Sequence, residues 1–423
     1  MAVRNAVYAQ SGGVTAVINA TACGLIQEAR RHPERIGKVL AGRDGIIGAL
    51  TEDLIDTSLE SDVDVARLRS TPAGAFGSCR YKLKSLEEHR AQYERLIDVF
   101  KAHDIGYFFY NGGNDSMDTA WKVSQISEKL GYTVVCVGVP KTVDNDLPLT
   151  DCCPGFGSVA KYVATSIREA GYDVASMART STRIFVLEVM GRHAGWITAA
   201  CGLASENAGE PPHILLFPEV PFDPERFLVR VEECIGEYGY CTVAVSEGLA
   251  DASGKLIAES GTKDAFGHSQ LGGVGQVIAQ LVKDRLGHKY HWALADYLQR
   301  SARHLASRSD VDQAHALGVA AVDFAQQGKK RGDADGEAAR GCALSLGNRR
   351  CATEGHRQRG AQDAGRVHQR RRLPYHQCLP DLSAAADRRR RFAAFPQRAA
   401  RSCSSEERHR AKKAGTVQHL IFL

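Results

Sequence analysis

The chain has 423 residues, 43% hydrophobic and 24% charged, proportions that fit two or three globular domains and exclude a fibrous or largely unfolded protein. No apolar run is long enough to span a bilayer, and the start MAVRNAVYAQSGG lacks a signal-peptide core, so a cytoplasmic location is expected. The formal net charge of +5 conceals a split: residues 329–423 carry 18 Arg and 4 Lys against 9 acidic residues, net +13, while residues 1–328 carry −8.

Short β-rich runs alternate with amphipathic stretches along the first three hundred residues. In chain order, the pattern predicts a strand at 4–9, a helix at 14–31, a strand at 38–41, a helix at 86–103 and a strand at 105–110. It continues with a helix at 116–130, a strand at 133–139, a helix at 158–172, a strand at 183–189 and a helix at 194–206. A strand at 213–217, a helix at 224–238, a strand at 241–246 and a helix at 273–286 complete it. Strands separated by helical lengths imply parallel βαβ units. The expected fold is therefore α/β: two doubly wound, Rossmann-like parallel sheets with their C-terminal edges facing across a cleft. Beyond Gly328 the sequence has no helical or alternating periodicity, and its few apolar residues are mostly Ala, so a disordered basic tail is expected. The twelve cysteines include no CxxC, and most sit in apolar or glycine-rich segments, which suits reduced buried thiols.

Chemistry concentrates where predicted strands end. The stretch Gly138–Leu147, GVPKTVDNDL, follows a valine-rich strand and crowds Lys141, Thr142, Asp144 and Asp146 together. A cation to hold phosphate, an acid to take a proton and a second acid for a metal ion suit phosphoryl transfer. Ser11–Asn19, SGGVTAVIN, and Asn111–Met117, NGGNDSM, are glycine-rich strand-to-helix turns, where free N–H groups at a helix start favour an anion. Neither is a Walker loop or a GxGxxG fingerprint. Asp115 is unusual in such a turn, because a carboxylate repels phosphate unless a cation intervenes. Further candidates are Arg192 in MGRHAG, Glu247 at the end of CTVAVS, His268 in GHSQLGG, and Tyr297 with Arg300 in YLQR. Arg183, at a strand start, is a surface residue unless a subunit interface covers it.

In this order and spacing, SGG, GSCR (Gly77–Arg80), GGNDS, PKTVDND, MGRHAGW, Glu247 and GHSQLGG resemble the phosphofructokinase family over about residues 4–305, on the side of its pyrophosphate-using members. The resemblance implies reversible phosphoryl transfer from pyrophosphate to the 1-hydroxyl of fructose 6-phosphate. It implies Asp144 as the base, with Lys141, Thr142 and Asp115 in the catalytic set. Gly13, Arg80, Tyr81, Gly113 and Ser116 match diphosphate-binding positions. Thr142, Val143, Asp144, Met190, Gly191, Arg192, Glu247, His268, Tyr297, Leu298, Gln299 and Arg300 match the sugar-phosphate site. Arg183 matches an arginine that enters a neighbouring subunit's site, so a homodimer or homotetramer is implied. Mg²⁺ would be held by Asn114, Asp115 and Asp146.

Two positions select the donor within that resemblance. ATP-using members carry glycine where this chain has Asp115, and a small residue where it has Lys141. An added anion excludes the larger donor and an added cation serves the smaller one. The sequence also departs from the family: Asn114 replaces the usual metal-associated Asp, and Leu271 replaces a phosphate-binding Arg whose role Arg300 would take. The stretch 329–423 matches nothing in the family, and its excess of Arg over Lys resembles a shifted reading frame, a genuine basic tail being the alternative. Residues 1–140, with a return segment at about 257–305, would form the donor-binding half. Residues 141–256, with a helix at about 306–328, would form the fructose 6-phosphate half. The runner-up is the same enzyme using ATP. A nicotinamide oxidoreductase is disfavoured by the glycine turns, and neither nucleic acid nor membrane is expected as a partner, since no aromatic interleaving accompanies the arginines.

Overall fold

The structure, a computed structural model, describes residues 2–81, 83, 86–148, 150–207, 209–263 and 269–327, all within one compact unit. The first sheet has the order β3-β2-β1-β4-β5, built from β1 (Arg4–Gln10), β2 (Ile36–Gly42), β3 (Leu54–Asp56), β4 (Ile105–Gly112) and β5 (Val135–Pro140). All pairs are parallel except β2–β3. The second sheet has the order β11-β6-β8-β7, all parallel, built from β6 (Ile184–Val189), β7 (Ile214–Leu216), β8 (Cys241–Ser246) and β11 (Tyr290–Leu294). Between β8 and β11 in sequence lies a small antiparallel ribbon of β9 (Glu259–Lys263) and β10 (Ser269–Leu271).

Each sheet is buried on both faces, as parallel sheets require. All eight residues of β4 are buried. Alternate side chains go to opposite layers: Tyr107 and Phe109 pack toward α1 (Ile18–Arg30) and α11 (Arg308–Gln326), whereas Phe108 and Tyr110 pack toward α4 (Leu86–Ala102) and α5 (Asn114–Lys129). Burying each such aromatic contributes about 1.5–3 kcal/mol. The second sheet repeats the scheme. Val186 and Val243 face α8 (Pro224–Tyr238) and α9 (Val274–Leu286). Leu187 and Val189 face α6 (Phe156–Met177) and α7 (Trp196–Cys201). Short helices α2 (Ile46–Thr51), α3 (Asp62–Arg67) and α10 (Asp296–Ser301) complete the described α-helices.

The C-terminal segments are distributed opposite to the sequence expectation. The 257–305 stretch supplies β11, which pairs with β6, and α9, which packs on β6 and β11, so it belongs with the second sheet. Helix α11 packs along α1 on the first sheet. Two glycines make that contact possible: a methyl at Gly24 would collide with the His315 carbonyl, and one at Gly318 with the Thr21 carbonyl. Other differences are local. Helix α1 starts at Ile18 because the preceding residues form the glycine turn, and the 194–206 helix reduces to α7 followed by a 3₁₀ turn at Gly202–Ala204. The expected disorder beyond Gly328 concerns residues outside those described, as does His268.

Candidate active site

The site forms where strands of the first sheet stop at one level. Gln10 pairs with Asn111, and Gly112 with Pro140, so the turns after β1, β4 and β5 lie side by side. Hydrogen bonds stitch them: Ser11 N donates to the Asn111 carbonyl (2.8 Å), Lys141 N to the Gly112 carbonyl (2.9 Å), and Ser116 Oγ to Ser11 Oγ (2.8 Å). Helix α5 opens at Gly113 with no side-chain cap, which leaves its first N–H groups for an anion.

These turns, with the loop carrying Arg80, surround a cavity of about 190 Å³. The diphosphate candidates Gly13, Arg80, Tyr81, Gly113 and Ser116 all line it. So do Asn114, Asp115, Lys141, Thr142, Asp144 and Asp146. Ser11 and Gly12 of the SGG turn line it as well, as do Tyr110 and Thr119, which were not singled out from sequence. Thr119 could have been found one helical turn after Asp115, whose carbonyl its Oγ1 bonds (2.9 Å). Tyr110 carries no such signal, because it reads as one more aromatic of a buried strand.

The acids and cations act strongly on one another. Lys141 is buried, and its ammonium donates to the Gly13 carbonyl (2.7 Å). Burial and then the Arg300 guanidinium push its pKa down to about 8, with Asp144 partly opposing. Asp144 is raised to about 6 by burial and by the like charge of Asp146, against Lys141, Arg192 and Arg300. Glu247 rises to about 7 for the same two reasons, burial and the charge of Asp144, and accepts the Gly191 N–H (3.3 Å). Thr142 Oγ1 accepts the Asp144 N–H (3.2 Å). Asn145, with φ 55°, turns away: its amide donates to the Asp151 carbonyl (3.2 Å) and accepts the Cys153 N–H (2.7 Å), leaving the flanking Asp144 and Asp146 on the cavity. Asn114 donates to Asp146 Oδ2 (3.1 Å).

The second sheet contributes from its own C-terminal edge. Val189 pairs with Ser246, so Met190–Arg192 and Glu247 emerge together. Arg192 is near enough to influence both Asp144 and Glu247. Arg300 rests on the Tyr297 ring, 3.7 Å from its centroid, and extends to the first sheet, where its guanidinium occupies the place a Cβ at Gly13 would need. It therefore reaches from the second sheet toward the Gly13 turn, near Lys141 and Asp144. The other sugar-phosphate candidates, and Arg183, have varied surroundings. Val143 packs its side chain into the core with Phe156 and Val159, which leaves only its backbone for a ligand. Gln299 is buried and accepts the Met190 N–H (3.3 Å), so it shapes that turn, while Tyr297 and Leu298 face solvent. Arg183 precedes β6, at the strand end opposite Met190, about 20 Å away, and donates to the Ala178 carbonyl (3.2 Å).

Two buried carboxylates hold the frame. Helices α6 and α9 start at glycines without side-chain caps. Asp310 of α11 accepts from Gly155 N (2.9 Å), Ser158 N (2.8 Å) and Ser158 Oγ (2.6 Å) at the start of α6. Glu188 of β6 accepts from Gly273 N (3.0 Å) and Gly275 N (2.9 Å) at the start of α9. Gly155 bridges Thr142, so Asp310 supports the loop bearing Asp144 from behind.

Comparisons with known proteins bear on the family and the fold. A family model described as phosphofructokinase matches residues 5–325. The pyrophosphate–fructose 6-phosphate 1-phosphotransferase of Methylococcus capsulatus is 69% identical over 328 residues, which are 78% of this chain and 78% of that protein. Its namesake from Halomonas elongata is 65% identical over 329 residues, again 78% of each. A crystal structure of a pyrophosphate-dependent phosphofructokinase from Marinobacter aquaeolei superposes with a TM-score of 0.70 at 62% identity, covering 78% of this chain and 77% of that one. With its two doubly wound sheets and its phosphate-suited turns in register, the chain belongs to the phosphofructokinase family.

Proposed function

We propose that this chain transfers a phosphoryl group reversibly between pyrophosphate and the 1-hydroxyl of fructose 6-phosphate, giving fructose 1,6-bisphosphate and phosphate. The observation that carries the donor choice is the pairing of Asp115 and Lys141 on one phosphate-facing cavity. The carboxylate occupies space and repels an extended polyphosphate, and the lysine offsets charge on the phosphate that leaves. The names of the Methylococcus and Halomonas relatives support the same reading.

Asp144 takes the proton of the attacking hydroxyl. Its carboxyl near pKa 6 is ionised at neutral pH yet basic enough to accept that proton. Lys141, Arg80 and Arg300 hold the donor, and Thr142 flanks the transferring group. Glu247 and the Met190–Arg192 turn orient the sugar phosphate. Asp115, Asp146 and the amide oxygen of Asn114 are hard oxygen donors beside a phosphate cavity, a set that suits Mg²⁺. Bound there, Mg²⁺ would supply charge neutralisation of the phosphates. Arg183 completes a neighbour's site in a homodimer or homotetramer, which accounts for an arginine placed far from its own cleft. A cytoplasmic location fits substrates this highly charged, which do not cross a bilayer unaided.

The test is a product assay on the purified chain with either donor. Fructose 1,6-bisphosphate should form with pyrophosphate and Mg²⁺, should stop on chelation and should not form with ATP. Equal turnover with both donors would remove the donor assignment.

A further inference from the structure

We infer that Asn19, the second residue of helix α1 and outside the phosphate cavity, is the positioning residue that presets the donor-phosphate arginine, Arg80. The inference rests on the pyrophosphate reading above and extends it to a residue outside the cavity.

The segment 71–81 forms no helix or strand apart from a single bridge between Cys79 and Ser11. Apart from the turn that Gly77 N closes on the Gly74 carbonyl (3.0 Å), its backbone polar groups therefore need partners from elsewhere. Asn19 supplies them at one end. Its amide nitrogen donates to the carbonyls of Thr71 (3.0 Å) and Ala73 (2.9 Å), with Pro72 at 3.4 Å, and its oxygen accepts the Ala75 N–H (2.9 Å). The same oxygen accepts from Gln10 Nε2 (3.1 Å), so the amide's two donors and two acceptor sites are all engaged. Asn19 is 1% exposed, which removes water as a substitute. At the other end Gly12 takes over: its N–H donates to the Cys79 carbonyl (2.9 Å), and its carbonyl accepts from Ser78 Oγ (2.7 Å). Arg80 follows at once and lies 3.9 Å from where a Cβ of Gly13 would stand.

The network also joins the two glycine turns from below. Gln10 donates to Tyr8 Oη (3.3 Å), which accepts as well from Asn111 (2.9 Å), the residue just before the Gly112–Gly113 turn. Only a side chain with donors and acceptors on one planar group can serve Thr71, Ala73 and Ala75 together. An asparagine at this point thus fixes the loop before the donor arrives, and the cost of ordering Arg80 is met in folding rather than in binding.

The experiment uses the full chain. N19S keeps one donor and one acceptor but shortens the reach; N19D keeps the shape and places an oxygen against two carbonyls. N19S should raise the KM for pyrophosphate by about tenfold and leave that for fructose 6-phosphate within about twofold, with N19D larger in the same direction. In an R80A background, N19S should change the pyrophosphate KM by less than about twofold, because the residue it acts through is gone. Calorimetric titration with pyrophosphate should show the same tenfold loss without turnover, which separates this inference from the assignment of the reaction. A parent that fails to turn over pyrophosphate defeats that assignment and leaves the titration to decide Asn19. Hydrogen exchange on the parent needs no variant: the Ala75 amide should be protected before pyrophosphate is added. Equal rises in both KM values, full effects retained in the R80A background, or an Ala75 amide protected only by pyrophosphate would each overturn the proposal.

Discussion

Asp144 and Lys141 line one cavity, and burial pushes each toward its neutral form. The carboxyl goes up to about 6 and the ammonium down to about 8. The base works when ionised, so activity is lost as pH falls through about 6. The lysine works when protonated, so activity is lost as pH rises through about 8. A kcat/KM profile for the free enzyme should therefore be bell-shaped, with its maximum between those values. Asp144→Asn keeps the shape but cannot take the proton, and kcat should fall by roughly 10²–10⁴-fold with a smaller change in the sugar-phosphate KM. An Asn variant within tenfold of the parent would take Asp144 out of that role. A profile without the acid limb, in an enzyme whose Asp144→Asn form is inactive, would show that the base is ionised throughout and that burial does not govern it.

At the scale of elements, helix starts lacking local caps are held by acids from distant strands and helices. Asp310 is the clearest case. Replacing it with Asn sets an amide N–H against N–H groups of Gly155 or Ser158, at a cost of about 1–3 kcal/mol. A lower denaturant midpoint together with a reduced kcat is the expected result, because α6 backs the Thr142 loop. An unchanged midpoint would show that water or a rearranged Ser158 replaces the carboxylate. Such contacts explain what the sequence made legible. Glycine turns after apolar runs are local signals, so the turns at Ser11, Asn111 and Lys141 could be read directly, and their meeting followed from parallel strands. Asp310 and Glu188 bind partners more than eighty residues away, and no local pattern announces them. The strand Tyr290–Leu294 is short, at a sheet edge and only partly buried, and its alternation is too weak to separate it from the helix that follows. The sheet that a C-terminal segment joins is likewise a tertiary choice, which is why α11 and β11 were assigned to each other's halves. Arg300 was assigned from its motif, and its reach to the Gly13 turn is a tertiary feature that no local pattern announces.

For the whole molecule, Arg183 is a functional residue only if the assembly supplies its site. Mixing chains carrying Arg183→Ala with chains carrying Asp144→Asn should restore activity, since a mixed dimer has one site with neither lesion. Random pairing of shared sites predicts roughly a quarter of the parental rate. No recovery on mixing, with exchange of subunits demonstrated, would confine Arg183 to its own chain. The match to the family ends at residue 325, and the described residues at 327, so the site stands on the portion shared with relatives. The central claim is the donor, and the most direct measurement compares pyrophosphate and ATP as donors for the parent and for Asp115→Gly/Lys141→Gly. The account predicts turnover of the parent with pyrophosphate alone, and a loss of roughly 10²-fold or more with that donor in the double variant. A parent that uses ATP as readily as pyrophosphate, or a double variant that keeps full pyrophosphate activity, would contradict it.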